Sequence, residues 1–131
     1  DIITPNEDEA RARGTDKIVT TDDACRAAAH LCSRGPKKIV ITLGKRGAVY
    51  CEGGQDAVFV PPFTIQAIDS VAAGDCFNGA LAVGLAEDMP FGQAVRFATA
   101  ASAISVTRRG AAASIPARGE IESFLKTGRI I

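Results

Sequence analysis

The chain has 131 residues, 47% of them hydrophobic, with 15 basic and 15 acidic side chains and a formal net charge of zero. That length fits one domain with a real core, and the charge balance removes any electrostatic reason to expect nucleic acid or an anionic membrane surface as partner. The longest apolar stretch, Val71 to Ala86, is broken by Asp75 and Asn78 and rich in Ala and Gly, so it is too short and too polar to span a bilayer.

Read in order, the elements alternate as in α/β proteins. Asp1-Ile2-Ile3-Thr4 reads as a strand already under way, which suggests a fragment or a processed chain. Thr4 to Glu9 makes a turn and a helix start, followed by an Arg-rich polar stretch to Lys17. Thr20-Thr21-Asp22-Asp23 supplies capping residues for an Ala-rich helix that stops near Arg34, at Gly35-Pro36. Lys38 to Leu43 is a β-branched run that suits a buried strand, and Gly44 to Gly47 turns the chain sharply. Ala48–Glu52 and Ala57–Val60 form an expected hairpin around Gly53-Gly54, with a further extended segment over Phe63–Ile68. Two helices follow, Gly74 to Glu87 and Phe91 to Val106, the first with Phe77, Leu81 and Leu85 on one face. A loop over Arg108–Ser114 then leads to a short helix from Arg118 to Lys126.

Cys25, Cys32, Cys51 and Cys76 form no CxxC pair, which fits buried thiols in a reducing compartment better than disulfides. With no secretory signal visible, cytoplasm is the expected location. On a helix Cys25 and Cys32 share a face, whereas His30 points about 140° away from Cys25. A core pair with a surface histidine therefore fits better than a zinc site.

The run Asp69 to Gly79, Asp-Ser-Val-Ala-Ala-Gly-Asp-Cys-Phe-Asn-Gly, carries the most chemistry. Ala72, Ala73 and Gly74 have almost no side chain, so their backbone N–H groups can approach an anion closely. At a helix start, unpaired N–H groups and the positive end of the dipole converge on negative charge such as phosphate. Asp75 would repel that phosphate unless it has another task, such as accepting a proton from an attacking hydroxyl. On local spacing alone, an N-cap is the simpler reading of Asp75.

Four short motifs in order carry a resemblance that spans essentially the whole chain: Asn6-Glu7-Asp8-Glu9, Thr42-Leu43-Gly44-Lys45-Arg46-Gly47, Asp69 to Gly79, and Ala98 to Pro116 with Thr107-Arg108-Arg109-Gly110-Ala111 near its end. Together they resemble the C-terminal, nucleotide-binding portion of the ribokinase-like (PfkB) sugar kinases. The resemblance implies a doubly wound, Rossmann-like α/β sheet flanked by helices, of which this chain holds the C-terminal part. Residues 1–131 would be the ATP-binding and catalytic portion, without the N-terminal sugar-binding part and its lid.

The activity implied is transfer of the γ-phosphate of ATP to a sugar hydroxyl, ribose to ribose 5-phosphate first among the choices, with Asp75 as general base. Ala72, Ala73 and Gly74 would form the anion hole. Asn6, Thr42, Gly44, Lys45, Gly47, Gly74 and Thr99 would bind nucleotide, although Thr99 stands where the family often has Asn or His. Glu9 would act on Mg²⁺ through water, which that ion's hydration favours. Asp69, Val71, Ser105, Arg108, Gly110 and Ser114 match a monovalent-cation site suited to K⁺. Partners would be ATP and a small sugar, and family dimers pair through the lid. The isolated piece is expected to bind nucleotide weakly and to turn over little or no sugar. Two alternatives stay open: another kinase of the family, acting on fructose, a nucleoside or ketodeoxygluconate, or a non-catalytic nucleotide-binding fragment.

Overall fold

The structure, a computed structural model, describes residues 2–63, 65, 73–108 and 116–127. The expected segment Phe63–Ile68 and the loop beyond Arg108 lie largely outside the described residues. The chain forms two compact units, Asp1–Pro62 and Phe63–Ile131.

The first unit is a sheet with helices packed on it. Its elements are β1 (Ile2–Ile3), α1 (Glu7–Ala12), α2 (Thr21–Cys32), β2 (Lys38–Thr42), a 3₁₀ turn (Gly44–Arg46), β3 (Ala48–Glu52) and β4 (Val58–Val60). The strand order is β1-β2-β3-β4. Among the described strands β1 runs parallel to β2, while β2, β3 and β4 pair antiparallel, with Ile39 opposite Cys51 and Val49 opposite Phe59. The α/β class is as expected, with a mixed sheet in which the predicted hairpin forms as β3 and β4 and β2 joins it antiparallel. Ile39, Val40 and Ile41, which point alternately to the two faces of the sheet, are all fully buried, which is why β2 reads as a continuous β-branched run. Helix α2 starts where its caps predict: Thr20 Oγ1 accepts from the Asp23 N–H at 3.1 Å and Asp23 Oδ2 accepts from the Thr20 N–H at 2.9 Å. Its Ala24, Ala28 and Leu31 pack with Ile39 and Val49 in the core.

Cys25 and Cys32 pack against that same core from the half-buried edge, and His30 is exposed. All four cysteines are free thiols. Among the described residues, no group of three or more His, Cys, Asp or Glu side chains could hold a metal ion.

The second unit is helical among its described residues: α3 (Ala73–Ala86), α4 (Phe91–Ser105) and α5 (Arg118–Thr127). Small residues let α3 and α4 approach closely. A Cβ on Gly84 would meet the Ala94 Cβ at 3.1 Å and the Met89 sulfur at 3.2 Å. Phe124 of α5 is 1% exposed and its ring packs against Phe63 in a tilted arrangement, centroids 4.7 Å apart at an interplanar angle of 47°. No helix is long and apolar enough to cross a membrane, among the described residues.

Candidate functional site

The residues singled out by sequence fall into two groups, one in each unit. In the first unit, Asn6 caps α1 through a reciprocal pair. Its Oδ1 accepts from the Glu9 N–H at 2.8 Å, and Glu9 Oε1 accepts from the Asn6 N–H at 3.0 Å. This capping box explains the Asn-x-x-Glu spacing locally, since only a separation of three brings each side chain to the other's N–H. Both residues are exposed. One oxygen of Glu9 is thus committed to the cap, and the other carries no hydrogen bond among the described residues.

The structure brings this cap against the second motif. The Thr42 N–H donates to the Pro5 carbonyl at 3.0 Å, and Asn6 and Thr42 form a parallel bridge. Beyond Thr42 the turn is closed by the Leu43 N–H to the Gly47 carbonyl at 2.8 Å and the Gly47 N–H to the Gly44 carbonyl at 3.2 Å. Gly44 has φ +58° and Gly47 φ +99°. A Cβ on Gly47 would lie 2.2 Å from the Val60 carbonyl oxygen and 2.9 Å from the Pro62 nitrogen. Glycine is therefore required there by the chain's own packing, a reason the motif alone did not disclose. Lys45 is exposed.

In the second unit Ala73, Gly74 and Asp75 form the first described turn of α3, so Asp75 lies inside the helix and is not its N-cap. The simpler local reading is thereby overturned. Asp75 is exposed, and among the described residues no hydrogen bond or ion pair holds its carboxylate. Gly74 is exposed and an added Cβ there would meet nothing within 4 Å. Ser102 Oγ of α4 donates to the Ala73 carbonyl at 3.3 Å and tethers this turn. Next to Asp75, Cys76 is buried; burial pushes its thiol up, against a hydrogen bond with Ser105 that lowers it.

Thr99 is buried in α4, and its Oγ1 donates to the Val95 carbonyl at 2.8 Å. Ser105 is fully buried, its Oγ donating to the Ser102 carbonyl at 2.8 Å, and its own carbonyl accepts from the Arg108 N–H at 3.1 Å. Arg108 pairs with Glu120 of α5. Asp69, Val71, Ala72, Gly110 and Ser114 lie outside the described residues. Sequence reasoning missed the ion pair between Arg46 and Glu7, whose Nη2 and Oε1 are 2.7 Å apart. Its partners are 39 positions apart, and no local spacing announces it.

A glycine-flanked turn tied to the capped start of α1 on a mixed α/β sheet, and a helix of small residues with an exposed carboxylate in its first described turn, define the class as an α/β protein. Residues 1–118 match the family model described as pfkB family carbohydrate kinase, and the chain belongs to that family. It is 42% identical to a ribokinase of Haemophilus influenzae over 126 residues, covering 96% of this chain and 41% of that protein. Among solved structures, a ribokinase of Thermotoga maritima superposes with a TM-score of 0.84 at 43% identity, covering 97% of this chain and 42% of that one. A ribokinase of Arabidopsis thaliana, complexed with ribose and ATP, superposes with a TM-score of 0.85 at 30% identity, over 96% of this chain and 41% of its own. The chain spans about two fifths of the length of these relatives.

Proposed function

We propose that these residues are the ATP-binding and catalytic part of a sugar kinase, and that the sugar is ribose, phosphorylated to ribose 5-phosphate. The carrying observation is Asp75: a carboxylate exposed in the first described turn of a 14-residue helix, in a chain of the carbohydrate kinase family. The relatives named ribokinase support ribose as substrate.

In this reading the Asp75 carboxylate takes the proton of the sugar hydroxyl as its oxygen attacks the γ-phosphorus, the bond from that phosphorus to the bridging oxygen breaks, and ADP leaves. Backbone N–H groups of Ala73, Gly74 and Asp75, in the first described turn of α3, together with that of Ala72, hold the charge that builds on the phosphoryl oxygens. Phosphoryl transfer needs positioning, a proton acceptor and preorganised positive potential more than covalent chemistry. The exposed Gly74 lets the ligand come close. Asn6, Thr42, Gly44, Lys45 and Gly47 contact nucleotide. Thr99 also belongs to the nucleotide set, its hydroxyl donating to the Val95 carbonyl and so left to act toward the base only as an acceptor. Glu9 would meet Mg²⁺ through water, and the ion would neutralise charge on the phosphates when bound. A K⁺ site built from Asp69, Ser114 and the carbonyls of Val71, Ser105, Arg108 and Gly110 belongs to the same proposal. So do the sugar pocket and a dimerising lid, outside residues 1–131.

The test is ADP production by the full-length protein with ribose, deoxyribose, fructose, adenosine and ketodeoxygluconate, with K⁺ present or omitted. Deoxyribose is included because a deoxyribokinase of Salmonella typhi is 34% identical over 126 residues. Ribose-dependent turnover that rises with K⁺ is expected. Asp75→Asn should lower kcat by about 10²–10⁴-fold, the usual worth of a general base, with ATP binding kept. Turnover of no sugar at all, or an Asp75→Asn variant as fast as the parent, overturns the reading.

A further inference from the structure

The turn Gly44-Lys45-Arg46-Gly47 is bounded by two glycines at positive φ, and glycine leaves a chain the most conformational freedom to lose on ordering. At its base the turn is tied to the entry of α1 by the Thr42 N–H to the Pro5 carbonyl at 3.0 Å and by the Asn6–Thr42 bridge. Near its tip one side chain supplies a second tie. Arg46 Nη2 donates to Glu7 Oε1 at 2.7 Å, and Nη1 donates to the Val19 carbonyl at 2.7 Å. Glu7 is the first residue of α1, inside the Asn6–Glu9 capping box, and Val19 directly precedes the Thr20 cap of α2. One guanidinium fork therefore joins three segments: the turn, the α1 capping box and the approach to α2.

We propose that Arg46 is a positioning residue for nucleotide. It holds the Gly44–Gly47 turn in register with the Asn6–Glu9 cap, and its charge is matched by Glu7 rather than by a phosphate. Arginine suits the task because its planar fork satisfies a carboxylate and a carbonyl at once. The two contacts take one N–H from each terminal nitrogen of Arg46 and fix the direction of its fork toward Glu7 and Val19. Lys45, exposed on the same turn, is the cation left for the ligand. The turn is then ordered before nucleotide arrives, so less of the ordering cost falls on binding.

The inference rests on the nucleotide-binding reading of this turn, and the experiment separates the two. In the full-length protein, ATP affinity is measured by calorimetry for wild type, Arg46→Met, Glu7→Gln and the double variant, with thermal melts and the KM for ribose alongside. Each single change should weaken ATP by about fivefold, as expected for a partly exposed charge pair with two hydrogen bonds, and the double variant should weaken it by about fivefold too, not by about 25-fold. The KM for ribose should not move. Arg46→Lys keeps the charge but not the fork, and should bind ATP as weakly as Arg46→Met. Additive losses, full affinity restored by lysine, or weakening by Arg46→Met with none by Glu7→Gln would mean direct phosphate contact and overturn the inference. A lower melting temperature with unchanged ATP affinity would make the strap merely structural and overturn it too. A wild type that does not bind ATP overturns the nucleotide reading itself, and the inference with it.

Discussion

Gly47→Ala should be the most damaging of the Gly→Ala changes at the described glycines of the motifs, and Gly44→Ala is its control. Gly44 has φ +58° with open space where a Cβ would go, whereas Gly47 has φ +99° and ψ −138° with the Val60 carbonyl oxygen 2.2 Å from an added Cβ. For Gly44 the left-handed conformation costs alanine about 1–2 kcal/mol, offset by about 0.7 kcal/mol because alanine also restricts the unfolded chain. The net loss is about 1 kcal/mol. For Gly47 the backbone region is less accessible still and costs about 1–3 kcal/mol. Its contacts are backbone atoms of the β4 end, which cannot swing aside, so overpacking adds about 1–3 kcal/mol. After the same offset the loss is about 3 kcal/mol, a large share of the 5–15 kcal/mol typical of a domain. Urea titration followed by circular dichroism should show a midpoint for Gly47→Ala well below that of Gly44→Ala, itself slightly below wild type. Equal midpoints for the two variants would refute the steric argument. A Gly47→Ala protein as stable as wild type would refute the geometry of the turn.

Two further expectations concern titratable groups. Hydrogen bonds from the Thr20 and Val19 N–H groups hold the Asp23 carboxyl below its ordinary 3.8. Because the folded state binds that proton less readily than the unfolded one, the stabilisation is complete above pH 3.8 and disappears as pH falls through the lowered folded value. Asp23→Asn should therefore narrow the stability gap between pH 6 and pH 3, read as melting temperatures; a gap equal to wild type would count against the cap. Burial first, and then the neighbouring Cys32, pushes the Cys51 thiol from 9.0 up to about 11. At pH 8 its thiolate fraction is about a hundredth of an ordinary thiol's, so iodoacetamide followed by peptide mass mapping should find Cys51 unlabelled after the half-buried Cys32 has reacted. Since the unfolded chain loses that proton first, stability should also fall as pH rises from about 9 to about 11. Early labelling of Cys51 would refute its burial.

Much of the architecture was written locally. A capping box needs only a separation of three, so Asn6 with Glu9 and Thr20 with Asp23 were legible as helix starts, and the β-branched run over Lys38–Leu43 announced a buried strand, observed over Lys38–Thr42. The hairpin was readable from the turn residues between Ala48 and Val60. In each case the interaction lies within a few residues, where φ, ψ and side-chain reach decide the outcome before any tertiary contact forms. The Asp69–Gly79 run marked Asp75 as either cap or base from the residue types alone. Its place inside the described helix then removed the cap.

Tertiary structure alone decided the rest, because those facts depend on segments far apart in the chain meeting at one point. Gly47 must lack a side chain on account of Val60 and Pro62, although its motif reads equally well as a ligand-facing turn. Arg46 reads in sequence as one more exposed base, until the fold presents it with Glu7 and the Val19 carbonyl. The Thr99 hydroxyl proton is given to the Val95 carbonyl, which leaves that side chain only acceptor capacity. Sequence by itself determined the elements, their caps and the candidate chemistry, since these follow from local backbone and side-chain preferences. Which polar groups remain available for that chemistry was decided by packing, because burial and hydrogen-bond partnership are properties of the folded neighbourhood and not of the residue.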